Sequence, residues 1–191
     1  MEVVQITAAD IENGRIKDES KVADCKGHIE IEAGLGIVFA SQFRAAGHIW
    51  ADSGSGIEAG CGINAGEGIE AGEGIKAGEG IKAGYSIRAG CGIEAGYGIE
   101  AGYIIKAGEG IKAGYGIKAG YSIRVGEGIN AGEGIEAGGV LSAAFRIFAG
   151  LATSLKSPTK EQCRIRCKRL AKGEICYGEL VETSKLKEVA Q

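Results

Sequence analysis

The sequence predicts an all-β fold, a triangular β-solenoid wound in coils of three hexapeptides, and three observations predict it. Fourteen consecutive hexapeptides of the form Gly-Ile-x-Ala-Gly-x run from Gly56 to Gly139, with Ile at 57, 63, 69 and every sixth position to 135. The Gly before Ile gives way only at Ser86, Ile104 and Ser122, spaced by 18, and each of these follows a tyrosine, Tyr85, Tyr103 or Tyr121. The residue after Ile alternates in sign in steps of 18, as in Glu58, Lys76, Glu94, Lys112, Asn130 and in Asn64, Lys82, Glu100, Lys118, Glu136.

Within one unit, Ile57 and Ala59 are two apart, so an extended segment points both inward and turns Glu58 to water. Gly60 and Gly62 bracket Cys61, and two glycines so placed are expected to supply positive φ at a sharp corner. Each hexapeptide is then one side and one corner. Apolar spacing of six fits neither 3.6 nor 3.5, and two glycines per unit would each cost a helix about 1 kcal/mol. Collagen needs Gly at every third position and abundant Pro, whereas this chain has one Pro. A two-sided coil of 12 would stack Glu58 on Glu70 and Lys106 on Lys118, so three sides are preferred.

Residues 1–30 keep only traces of the period. Val4, Ile6, Ile11, Ile16 and Val22 stand among charges, and this segment reads as a cap over the unpaired edge of the first coil. The solenoid spans residues 31–150, starting at Ile31-Glu32-Ala33-Gly34 and passing through Ile37, Phe43 and Ile49. After Ala51 the run Asp52-Ser53-Gly54-Ser55 adds two residues. Insertions in solenoids fall at corners and often bind, so His48, Trp50 and Asp52 form a candidate site beside this bulge, with His28 a lone second histidine. The alternative is a wider coil grading from cap into array.

The corner tyrosines Tyr85, Tyr103, Tyr121 and Tyr97, Tyr115 are expected either to stack for stability or to present an aromatic strip to a partner. Beside them Glu70, Arg88, Lys106 and Arg124 place three cations in one row. Three cations on an acidic body argue against nucleic acid as a direct ligand. Beyond Gly139 the pattern decays through Leu141, Phe145 and Ile147. Residues 151–191 then read as a linker with Pro158, a basic Cys-containing β-hairpin over 163–170 and 174–181, and a polar tail.

Fourteen buried Ile at roughly 1.5 to 3 kcal/mol each give a gross gain of tens of kcal/mol before chain entropy. No apolar run approaches the length a membrane-spanning helix needs and no signal-like segment follows Met1, which predicts a cytoplasmic protein with no membrane contact. The six Cys lack paired spacing, so reduced thiols without metal or other cofactor are expected. Charge is uneven: residues 1–150 carry 13 Lys and Arg against 20 Asp and Glu, and residues 151–191 carry 9 against 5. An acidic body with a basic tail suits head-to-tail association or a basic partner.

Three-sided hexapeptide coils bring the chain near the left-handed β-helix acyltransferases and the γ-class carbonic anhydrases. In that family the small inward residue precedes the aliphatic one by two, and here the order is reversed. The stretch Gly27-His-Ile-Glu-Ile-Glu-Ala-Gly34 and the Ile-x-Ala-Gly units resemble bactofilins, over roughly residues 25–150. That resemblance implies a polymer-forming scaffold assembling end to end. Similar arrays also look at home among small phage-encoded proteins. No phosphate loop, carboxylate pair or nucleophile constellation stands out. The expectation is a non-enzymatic binding or scaffold protein, a homo-oligomer or partner-occupying rod of about six to seven coils and about 30 Å. Two alternatives are a phage-type inhibitor whose acidic surface mimics nucleic acid, and a hexapeptide-repeat acyltransferase.

Overall fold

The computed structural model describes residues 2–150 and 159–184 and shows an all-β solenoid of about eight turns. The strands form one continuous wall, and successive coils pair in parallel. Ile57 lies beside Ile75, Ile75 beside Ile93 and Ile93 beside Ile111, so each partner is three hexapeptides further along the chain. The strands Ile69–Ala71, Ile75–Ala77 and Ile81–Ala83 are the three sides of one such coil and define faces I, II and III. On each of these strands Ile and Ala are buried and the residue between them is exposed, as the period-two reading requires. The core is therefore a column of stacked Ile and Ala, with Val125 standing where the other units have Ala and Phe43 the largest enclosed side chain near its start.

The corner glycines work differently from the positive-φ expectation. Among the described residues, glycines with left-handed φ lie at 14, 34, 36, 54, 150, 173 and 178, outside the regular units. What the repeat needs instead is closeness. A Cβ on Gly84, Gly102 or Gly120 would sit 2.0 Å from the carbonyl oxygen of Gly66, Gly84 or Gly102, one coil away. At the slot before Ile, a Cβ on Gly80, Gly98 or Gly116 would meet the next coil's carbonyl oxygen at 3.4, 3.2 and 3.2 Å. The second slot is therefore nearly roomy enough for a side chain, which is why Ser86, Ile104 and Ser122 are accommodated there and not at the first.

The bulge at 52–55 widens the coil that contains it, so that Ile49 pairs with Ile69, a step longer by two than that of the regular array. The preceding coil is equally long, Ile29 pairing with Ile49, through a wider corner of its own at 32–36, where Gly34 and Gly36 N–H donate to Ser53 and Gly54 O of the bulge. Residues 1–30 do more than lie across an edge: Val3–Ile6 pairs with His28–Ile31, Arg15 with Phe39 and Cys25 with Ala45, so this segment makes a circuit of its own. Ile6, Ile16 and Val22 close the core at that end. This circuit, with another at the far end, takes the rod past the expected six to seven coils.

At that far end, Ile135–Ala149 bends round all three faces without a break, pairing in turn with Ile117, Ile123 and Ile129. The expected C-terminal strand pair is present as Arg164–Tyr177 and Glu179–Glu182. Its members run parallel, Ile165 beside Leu180, where the sequence suggested a turn back at 171–173. The apolar side chains explain the difference. Ile165, Leu170 and Ile175 lie under Ile135, Leu141 and Ile147, so the segment continues the winding and covers the last core layer. Of the three basic residues that the alternating pattern turns outward, Arg166 and Lys168 are exposed, whereas Arg164 is half-buried beside Glu161. Residues 153–158 of the expected linker and 185–191 of the expected tail lie outside the described residues.

Candidate functional site

The outward rows differ sharply in how their charges are partnered. On face II, Lys76 Nζ lies 3.1 Å from Glu58 and Lys112 Nζ 2.9 Å from Glu94. Face III does the same, with Lys82 at 3.2 Å from Glu100 and Lys118 at 3.9 Å from Glu136. Each pair is exposed and adds little to stability, but together they neutralise the two faces. Shallow grooves of about 490 and 700 Å³ run along faces II and III beside the glycine columns, lined by these paired side chains.

Face I is built otherwise. Arg88 aligns with Lys106 and Lys106 with Arg124 on adjacent strands. None of the three has a carboxylate within ion-pair distance among the described residues, although Glu73, Glu109 and Glu127 stand along the next corner. Like charges stacked in this way repel, so the row costs the fold something unless a ligand supplies anions.

The opposite corner of face I carries Tyr85, Tyr103 and Tyr121. Their rings stack at 5.1 Å between centroids, with interplanar angles of 18° and 15°. Their backbones are rungs of one ladder, Tyr103 N–H donating to Tyr85 O at 2.7 Å and Tyr121 N–H to Tyr103 O at 2.8 Å. Stacking leaves them 56, 37 and 45 % exposed, so the column braces itself and still offers ring edges to solvent. Tyr97 and Tyr115 lie at the corner between faces II and III, at 5.4 Å and a 31° tilt. The five tyrosines are thus two separate columns, and only the first adjoins the cationic row.

The bulge residues are divided. His48 and Trp50 are neighbours, ring centroids 6.3 Å apart and edge-on, with Trp50 facing out at the head of the face I row. Asp52 is at the other end of that strand, where its main-chain oxygen accepts from Ser55 N at 2.9 Å and its Oδ1 from Ser53 N at 2.7 Å, so it shapes the turn. The contact that sequence spacing did not bring out is His28 on His48. Its signal in the chain is the irregular stretch 32–36, which lengthens the coil joining Ile29 to Ile49 and sets the two histidines one local coil apart, the bulge at 52–55 lying beyond them.

No cysteines pair among the described residues. Burial, then the Glu182 carboxylate, pushes the Cys167 thiol up to about 11. The Cys91 thiol is raised by its hydrogen bond to Glu73. These are protonated, weakly nucleophilic sulfurs. No helix among the described residues is long and apolar enough to cross a membrane. No protein-family model, curated protein or solved structure matches the chain. The resemblance to bactofilins therefore has no match behind it, and what stands is a hexapeptide-repeat β-solenoid with coils of about 18 residues.

Proposed function

We propose that this protein is a non-enzymatic binding scaffold whose face I docks a protein partner carrying carboxylates. The observation behind this reading is the contrast between faces: II and III pair their lysines internally, whereas Arg88, Lys106 and Arg124 stand in register without counter-ions among the described residues, beside exposed stacked tyrosines. Pre-ordered aromatic rings lose little entropy on contact, and a cationic row next to them sets register and on-rate. The acidic-mimic alternative would act through carboxylates, of which Glu58, Glu94, Glu100 and Glu136 are each already held by a lysine, leaving it chiefly the corner row of Glu73, Glu109 and Glu127.

Self-assembly is a second use of the same rod. It is favoured by basic Arg166, Lys168, Arg169 and Lys172 on the last coil, opposite the acidic segment 1–30. Light scattering with negative-stain microscopy tests it, since filaments support end-to-end assembly and a monodisperse monomer rejects it. For face I, fluorescence anisotropy with labelled polyglutamate is expected to show binding that weakens with salt. That binding should be lost in the triple variant Arg88→Glu, Lys106→Glu, Arg124→Glu and reduced in Tyr103→Ala with Tyr121→Ala. Equal binding by the triple variant, with its circular dichroism unchanged, overturns the docking reading.

A further inference from the structure

The head of face I carries a cluster that the docking reading does not use. His28 and His48, the only histidines of the chain, occupy the same slot on successive coils, with ring centroids 4.0 Å apart. Gly47 makes room for this, since a Cβ there would sit 2.3 Å from His28 Nδ1. Glu67 belongs to the next rung, its main-chain N–H donating to Gly47 O as Gly47 N–H donates to Gly27 O. Donor atoms of His28, His48 and Glu67 all lie within 4.8 Å of one another. Glu30 approaches His48 from another side, Oε1 at 3.6 Å from Nε2, and Glu67 Oε2 is 3.9 Å from Nδ1.

These separations exceed hydrogen-bond length, and His48 Nε2 is enclosed with no hydrogen-bond partner. The Nδ1–Glu67 separation is close to the spacing a shared cation imposes, because two ligands each about 2.1 Å from a tetrahedral ion stand about 3.4 Å apart, whereas Glu30 lies against the other ring nitrogen, which cannot bind the same ion. We propose that His28, His48 and Glu67 form a binding site for a divalent cation of the zinc class, with Glu30 beside the His48 Nε2 that faces away from the ion. Two imidazoles with a carboxylate suit zinc, nickel or copper, whereas calcium wants six or more oxygens and magnesium an octahedral shell of them. As the rings stand, the His48 main-chain N–H donates to His28 Nδ1 at 3.0 Å, which places the proton of neutral His28 on Nε2. Ligation by His28 gives up that bond, either freeing Nδ1 for the cation or turning the ring to present a deprotonated Nε2. Glu67, 57 % exposed in its side chain, closes by rotation alone. A bound ion then clamps three successive rungs together and stabilises the folded state by mass action.

The test is a titration of the reduced full-length protein with zinc chloride, followed by imidazole proton–nitrogen spectra and thermal unfolding. With two histidines every ring signal is assignable. The expected result is one equivalent bound, both rings shifting together, a changed tautomer signature for His28 and a higher melting temperature. Glu67→Gln, an exposed change that leaves the fold intact, should weaken binding by about tenfold or more. His48→Ala should lose it. Zinc that moves neither ring, or that binds equally well to the His28→Ala, His48→Ala double variant through the free cysteines, overturns the site. If His48→Ala fails to fold, the wild-type ring spectra and Glu67→Gln decide the matter.

Discussion

Two glycines of one repeat unit carry unequal constraints. Gly102 faces the Gly84 carbonyl oxygen at a distance where no Cβ fits, so Gly102→Ala must push two coils apart and is expected to cost about 3 kcal/mol or more. Gly98→Ala brings its Cβ to 3.2 Å from Gly116 O, and the stiffer unfolded chain offsets part of the strain. Its expected cost is below about 1 kcal/mol, and urea unfolding of the two variants separates them. Asp10 supplies a pH-dependent contribution of another kind. Its hydrogen bond to Lys21, then those from Thr7, hold the carboxyl down at about 2, below its usual 3.8. Because the folded value is the lower one, the stabilisation is complete above about pH 4 and disappears as pH falls toward 2. The stability gap between wild type and Asp10→Asn should narrow over that window, as read from melting temperatures at stepped pH.

Single strands show which interactions hold a coil. Ile111 is 2 % exposed, and Ile111→Ala is expected to cost about 2 to 5 kcal/mol, because the rigid column cannot collapse into the gap. Lys112, next to it and paired with Glu94, is solvent-facing, and Lys112→Ala should leave stability nearly unchanged. Denaturant midpoints for both variants check the ordering, and comparable losses would mean the ion ladders matter more than burial. This division also explains what was legible in the sequence. Inward Ile and Ala and outward charge follow from spacing alone, so the faces and rows could be written down residue by residue. The glycine constraint could not, because the carbonyl that enforces it belongs to another coil and its height is known only once the coils are stacked. The direction of Glu179–Glu182 was hidden for a related reason. Local alternation and a Lys172-Gly173 turn signal favoured reversal, while burial of Ile165, Leu170 and Ile175 under the preceding layer favoured continuing round.

Across the whole molecule, each coil touches only its neighbours, so stability is expected to add coil by coil and to fray from the ends. Hydrogen exchange should find the amides around Ile87 to Ile111 the slowest. The candidate surfaces were legible in proportion to their regularity. The tyrosine and arginine rows follow the regular coil and were visible, whereas the meeting of His28 with His48 depends on a locally lengthened one. The face on which a row lies is a property of the entire winding, because every whole hexapeptide inserted upstream turns whatever follows, while a short insertion such as 52–55 is absorbed in a wider coil.

The rung joining Tyr103 to Tyr85 has a consequence for how such a molecule can change size. Excising residues 86–103 joins Tyr85 directly to Ile104, reproducing the natural Tyr103-Ile104 junction, and should yield a shorter protein that still melts cooperatively with Arg124 beneath Lys106. Removing only 86–91 would swing Lys106 and Arg124 a third of a revolution away from Glu70. Length here is quantised, and only deletions or duplications of a complete revolution leave the decoration of the remaining surface facing the same way.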